Sequence, residues 1–278
     1  MIPKVLTIHS LSPMGEGIAH DSDQIFYIPK TCPGDQISIN KVKRLKKDIF
    51  KVESFKLLTE STDRRQSICP FFHNCGGCDY LHLPYSKEIE NKVNALYLNI
   101  RRGFANSEIP LIQVHSAQKR IEYRNRIQLQ IDKKQIGFMQ QDSHNHIPIE
   151  NCLLAEKPIQ AHISSKQFKD SLPKKGHMEI TFDEKMNKIK TNHNQRYAAD
   201  GFSQVNRRMN EALQEIVLDY YKRSITKTET QLIELFSGSG NLSNSLKNLF
   251  SSTLHIDSYD FSQQTDNQNF LKLNLYKD

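Results

Sequence analysis

No stretch of this sequence approaches the roughly 20 consecutive apolar residues that a bilayer-spanning helix requires, so no membrane role is expected. The opening, MIPKVLTIHSLSPMGEG, mixes polar and apolar residues and lacks a small-residue cleavage site behind a hydrophobic core. It does not read as a secretory signal. Cysteine is scarce: Cys32, Cys69, Cys75, Cys78 and Cys152 are the full set. An odd number, three of them bunched between positions 69 and 78, speaks against a disulfide scaffold. It fits a metal or cluster site in a reducing cytoplasm. Apolar residues reach only 37% and mean hydropathy is −0.61, so cores are expected to be modest. Charge of one sign does not dominate either. The net charge of +7 favours an anionic partner only weakly, because net charge governs association more than chemistry.

At 278 residues the chain has room for about two or three domains. Residues 1 to about 55 carry the β-prone pieces KVLTIHSL, QIFYIPK, QISINKVKRL and IFKVESFKLL, separated by the turn signals MGEG and CPGD. That pattern predicts a small antiparallel barrel. Within 41–51, Lys41, Lys43, Arg44, Lys46, Lys47 and Lys51 are opposed by Asp48 alone. Such a run is either a solvated strand end or a patch facing phosphates, and the residues alone leave both open.

Residues 56 to about 83 read as a linker and a cysteine-rich loop. Pro84 then opens a helix with Ile89, Val93, Leu96 and Ile100 at helical spacing and Gly103 as its stop. Its expected task is to cover a sheet. A mixed α+β region follows, to about residue 195: strands in RIEYRNRIQLQIDK and QIGFMQQ, a loop DSHNHIPIENC, a short helix near Ala155, and two strands in HMEITFDEKMNKIKT. From about Asn206 to Tyr221 a capped helix aligns Met209, Leu213, Ile216, Val217 and Tyr220. The pieces LIELF, SGSG, NLSNSLKNLF and TLHIDSY then spell strand, loop, helix and strand of a parallel sheet, and LKLNLYKD supplies a third strand. A doubly wound sheet usually has about five to seven strands, so this one is expected to be partial.

Cys69, Cys75 and Cys78 stand as C-x5-C-x2-C in CPFFHNCGGC, with Gly76 and Gly77 allowing a tight turn. Several thiolates can be buried together only around a metal. Cys152 is the natural fourth ligand, whereas Cys32 has no nearby partner and reads as an ordinary semi-buried thiol. Zinc ribbons pair more regular knuckles. The irregular spacing suits an iron–sulfur centre better, with zinc still open. His73 and His82 read as polar loop histidines.

In ELFSGSGN, Gly238 and Gly240 permit a tight turn after a strand that carries Glu234. The third position of a dinucleotide fingerprint is Ser243, which argues against a nicotinamide cofactor. S-adenosylmethionine fits better: Glu234 can attract its cationic end, and the helix that follows can face a polar cofactor. Asp257, with Asp260 as alternative, is placed to take the ribose hydroxyls.

Taken together, these motifs resemble the iron–sulfur-containing uracil-C5 RNA methyltransferases, the bacterial 23S ribosomal RNA type. The resemblance implies a multidomain protein. Residues 1–55 would form a TRAM-like barrel of the oligonucleotide-binding type. Residues 56–195 would hold the cysteine loop and a central α+β domain, and 196–278 a partial Rossmann-like class I methyltransferase domain. It implies a 4Fe–4S cluster on Cys69, Cys75, Cys78 and Cys152, and RNA contact through Tyr123, Arg124 and Arg126 of YRNR and through the basic run Lys41, Lys43, Arg44, Lys46 and Lys47. In FSQVN, Phe202, Gln204 and Asn206 match the family's F-x-Q-x-N, whose glutamine contacts the methyl donor. Glu234 stands where the family has Asp, and Ser237 where it has Cys.

Family chemistry uses a cysteine that adds to uracil C6, so that C5 can take the methyl group from S-adenosylmethionine, and a base that then removes the C5 proton. The sequence has no cysteine after Cys152 and no D-P-P-R loop. The resemblance therefore implies S-adenosylmethionine as the donor, its binding open to impairment, with no catalytic residue within this chain and no methylation by these residues alone. Alternatives are a non-catalytic RNA-binding iron–sulfur protein, or one part of a split enzyme completed by a protein partner. Otherwise a cytoplasmic monomer is expected.

Overall fold

The computed structural model describes residues 4–104, 108–195, 204–224, 231–238, 240–257 and 270–272. The chain divides into two compact units, Met1–Gln118 with Gly137–Ile149, and Lys119–Ile136 with Glu150–Asp278.

The first unit begins with β1 (Val5–Thr7), β2 (Ser10–Leu11), β3 (Gly17–Asp21), β4 (Gln24–Ile28), β5 (Gln36–Lys46) and β6 (Ile49–Thr59), in sheet order β1-β5-β6-β4-β3-β2. Residues 5–11 pair with β5 at one end and β3 at the other, and the His9 amide donates to the Ile18 carbonyl at 2.9 Å. The sheet therefore closes on itself and exposes no free edge there. Alternation sends Leu6, Ile8, Ala19, Phe26, Ile28, Ile37, Phe50 and Val52 into one core. Most pairings are antiparallel as expected, but β4 and β6 run parallel, because the β5–β6 hairpin folds back beside β4. In that parallel register Phe26 sits opposite Phe50, their rings stacked at 5.2 Å.

Beyond the barrel, Arg64 anchors the chain to buried Asp35, whose carboxylate also accepts the amides of Cys32 and Ser61. Helix α1 (Tyr85–Gly103) follows Pro84 as its cap. Its Asn91 donates to Ser12 O at 2.9 Å, yet none of its residues is fully buried, so the expected sheet cover amounts to a half-covered helix.

In the second unit, β7 (Arg126–Asp132) pairs antiparallel with β10 (Lys175–Asp183), which pairs in turn with β11 (Lys188–His193). Between them in sequence come β8 (Gln135–Met139) and β9 (His146–Pro148), which pair through Gly137, Phe138 and Met139 as a hairpin belonging to the first unit. The strand β9 lies where the sequence predicts loop. Helices α2 (Lys157–Ser164) and α3 (Lys166–Asp170) bury Ile159, Ile163 and Phe168. Helix α4 (Arg207–Ser224) starts on Asn206, whose Oδ1 accepts the Met209 amide at 3.2 Å. The strands β12 (Gln231–Leu235), β13 (Ser252–Asp257) and β14 (Phe270–Lys272) are all parallel, as the sequence predicts. Helix α5 (Ser243–Leu246) is a single turn continued by a 3-10 turn, Lys247–Leu249, shorter than expected from NLSNSLKNLF. Among the described residues no helix is long and apolar enough to cross a membrane.

Candidate functional site

In the first unit, the 69–78 loop coils through hydrogen bonds from Phe72 N to Cys69 O and from Cys75 N to Phe71 O. Gly76 lies flat against the β8–β9 hairpin. Its amide donates to Met139 O at 3.0 Å, and a Cβ there would meet Met139 O at 2.9 Å and Gln141 N at 3.0 Å. Cys69, Cys75 and Cys78 are half-buried, and none of the five cysteines is in a disulfide. The Gly77 amide donates to Cys75 Sγ at 3.4 Å. Burial raises the Cys75 thiol above its ordinary pKa.

Beneath this loop lies Lys30, 8% exposed. Its ammonium donates to Phe72 O and to Cys75 O, the latter at 2.7 Å, and rests 5.2 Å from the Phe72 ring centroid. Burial pulls its pKa down, while Cys75, Asp79, Cys78 and Cys69 pull it back up. His82 is buried at 1% exposure, stacks on Phe72 and touches Thr31 O at 3.1 Å, so it is a core residue and not a loop histidine. Cys32 is fully buried beside Asp35, and burial pushes its thiol up to about 12.

In the second unit, the turn after β12 has Phe236, Gly238 and Gly240 at positive φ, 52°, 54° and 81°. Glu234 accepts the amides of Leu242 at 3.3 Å and Ser243 at 3.1 Å. Its carboxylate is thereby engaged within the loop, and the amino end of α5 is already satisfied from inside the protein. Buried His255 stands opposite Glu234 on β13, with Nδ1 3.2 Å from Ser243 Oγ. A Cβ at Gly240 would meet His255 Cε1 at 2.7 Å. Burial lowers the His255 pKa, with Glu234 opposing. From α4, Asn210 pairs reciprocally with Asn241 and Gln214 donates to Asn241 O at 2.6 Å, tying the loop to the helix. Gln204 is exposed just ahead of that helix. Asp257 closes β13, while Asp260 and Phe202 lie outside the described residues.

The basic run falls on β5 and the turn after it, with Lys41, Lys43, Arg44, Lys46 and Lys47 all exposed. Lys41 pairs with Glu53 at 2.8 Å, and Lys51 is held by Glu16 and Asp142. Tyr123 and Arg124 are half-buried, the guanidinium 5.9 Å from the Tyr123 ring centroid. Arg126, by contrast, is 6% exposed and lies 3.9 Å from buried Glu179, so in this structure it faces the interior. Cys152, half-buried, accepts the Ala155 amide on its carbonyl at 3.1 Å. The sequence reading did not single out Lys30, His255 or Asn241. Lys30 had one signal: it shares strand parity with inward Phe26 and Ile28.

A glycine turn between parallel strands, braced by a preceding helix, is an α/β arrangement. No protein-family model matches the chain. It is 26% identical over 243 residues to an uncharacterized RNA methyltransferase of Bdellovibrio bacteriovorus, covering 85% of this chain and 60% of that protein. It is 31% identical over 160 residues to the 23S rRNA (uracil(1939)-C(5))-methyltransferase RlmD of Shewanella baltica, covering 55% of this chain and 35% of the relative. The crystal structure of Pyrococcus abyssi tRNA (uracil-54, C5)-methyltransferase in complex with S-adenosyl-L-homocysteine superposes with a TM-score of 0.68. That match has 19% identity and covers 96% of this chain and 76% of the other, so it shows the fold. The chain is thus similar in sequence to proteins named as RNA methyltransferases, and it spans 60% or less of the length of these curated relatives.

The resemblance implies an iron–sulfur centre. The three thiols of the 69–78 loop are soft donors of the type such a centre takes, and a backbone amide is directed at the Cys75 sulfur, but the residues are not gathered to hold it. As the side chains stand, no three of His, Cys, Asp and Glu among the described residues form a metal-binding group.

Proposed function

We propose that this chain provides the RNA-gripping and methyl-donor-binding parts of a uridine C5 methyltransferase acting on 23S ribosomal RNA. The observation that carries the reading is the β12–β13 turn. Gly238 and Gly240 adopt left-handed backbone there, Glu234 closes the loop, and Asn210 and Gln214 of α4 hold Asn241. On this reading the turn would take S-adenosylmethionine, with Gln204 ahead of the bracing helix and Asp257 at the end of the next strand as further contacts. Exposed Lys43, Arg44, Lys46 and Lys47 on the barrel, with Tyr123 and Arg124, would meet RNA phosphates and bases.

Cys69, Cys75, Cys78 and Cys152 would hold a 4Fe–4S cluster, which as a resident group would serve folding and RNA positioning. With these four assigned to the cluster and Cys32 buried, none of the five cysteines takes the role of attacking thiol. On this reading the residues present would serve binding, and methyl transfer would need a nucleophile from outside them. A filter-binding titration of 23S RNA fragments across a salt series tests the RNA part. Affinity falling steeply with salt supports it, and salt-insensitive or absent binding rejects it.

A further inference from the structure

Among the described residues, ten that are not glycine hold left-handed backbone, and nine of the ten are polar. Several of these, such as Ser22, Asp48, Lys134 and Asn187, sit at hairpin tips, where tight turns between antiparallel strands demand positive φ. Phe236 is the tenth, at φ 52°. It follows β12, which reaches its parallel partner β13 by way of α5, so no hairpin requires that backbone. Left-handed backbone is costly for any side chain with a Cβ, and a bulky one there is a genuine outlier. Its neighbours hold it in place: the Ser237 amide donates to Ile256 O at 3.2 Å, the Ser237 side chain is buried, and the Gly240 amide donates to Ser237 O at 2.9 Å. Burial does not recover the cost either, since Phe236 is 55% exposed. Strain imposed in this way gathers at ligand sites. The position agrees, because Phe236 stands at the carboxyl end of a parallel strand, where open α/β sheets take their ligands.

We propose that Phe236 is a donor-binding residue, presented by its strained backbone so that its ring stacks on the adenine of S-adenosylmethionine. This rests on the donor-binding reading above. The part of the ligand follows from the side chain. A phenyl ring offers a flat, uncharged face and no hydrogen-bonding atom, which suits a heteroaromatic base and gives nothing to the carboxylate of the donor's amino-acid end.

The test uses the full chain as wild type, Phe236→Tyr, Phe236→Leu, Phe236→Ala and Phe236→Gly, with far-ultraviolet circular dichroism as the folding control. The probe is S-adenosylhomocysteine, which lacks the sulfonium charge, so that stacking is read without cation–π attraction. Phe236→Tyr is expected to bind within about twofold of wild type, and Phe236→Leu on the order of tenfold more weakly, because leucine keeps apolar bulk but has no π-face. In the absence of ligand, Phe236→Gly is expected to melt above Phe236→Ala, the reverse of the usual order, since glycine adopts φ 52° without strain. Equal affinity in wild type and Phe236→Leu would overturn the role of the ring, and so would a loss confined to RNA binding. An alanine variant that melts above the glycine variant would overturn the strained presentation. A folded wild type that binds no S-adenosylhomocysteine would overturn the donor-binding reading and this inference with it.

Discussion

Glu234 and His255 are register partners across β12 and β13, with His255 Nδ1 3.7 Å from Glu234 Oε2, and both side chains reach Ser243. An acidic side chain at the end of the first parallel strand thus braces its own turn, and the imidazole fills the space beside Gly240 that a larger residue would need. The proposed cofactor binding depends on the backbone this pair shapes.

Glu234→Gln should weaken that brace, since the neutral amide accepts the Leu242 and Ser243 amides less strongly. The expected loss in unfolding free energy is about 1–2 kcal/mol by urea titration. An unchanged midpoint would show that the loop holds without the carboxylate.

His255 gives a signed pH effect. Burial depresses its folded pKa below the ordinary histidine value of about 6.5. Its stability contribution is therefore full above that value and is lost as pH falls through the folded pKa, because the unfolded chain binds the proton more readily. His255→Gln should flatten the drop in thermal midpoint between about pH 7.5 and pH 5 relative to wild type. The same slope in both proteins would mean that other histidines carry it.

Asp35 and Arg64 form a buried pair that joins the barrel to the segment leading into the cysteine loop; the side chains are 0% and 8% exposed. Burial raises the Asp35 pKa, but the hydrogen bonds from Arg64, Cys32 and Ser61 outweigh it and leave it lowered. Asp35→Ala leaves Arg64 buried without its partner and should cost about 3–5 kcal/mol, read by chemical denaturation. A loss below about 1 kcal/mol would mark the pair as dispensable.

Gly76→Ala should part the cysteine loop from the β8–β9 hairpin, because the new methyl would meet backbone atoms of Met139 and Gln141 that cannot turn aside. The expected destabilisation is about 1–3 kcal/mol, with reduced iron uptake on reconstitution. Gly103→Ala is the control, since nothing lies within 4 Å of a Cβ there.

Local patterns carried much of this structure in the sequence. Alternation in IFKVE places Phe50 and Val52 inward, and Asn206 ahead of an apolar repeat marks the start of α4. Non-local pairing was not legible: the parallel β4–β6 match depends on how the long hairpin folds back, which no local period records. Arg126 illustrates the same limit. Its strand alternates as expected, but its burial follows from Glu179 on β10, a partner invisible from YRNR alone. At the β12–β13 turn the glycines were readable, whereas the inward use of Glu234 depended on His255 and Ser243 arriving from two other elements.

On the barrel, Lys43→Ala with Arg44→Ala should weaken RNA binding across sequences and lower the salt slope by roughly 0.7 per phosphate contact removed. Lys41→Ala should do less, because Lys41 is paired with Glu53. An unchanged slope in the double variant would move the RNA surface elsewhere.

Calorimetric titration of S-adenosylhomocysteine into the chain, wild type beside Gly240→Val, bears most directly on the donor-binding assignment. Saturable binding at a single site, abolished by the valine that collides with His255, is the outcome expected. No saturable heat from a folded wild type, or equal affinity in the two proteins, would contradict it.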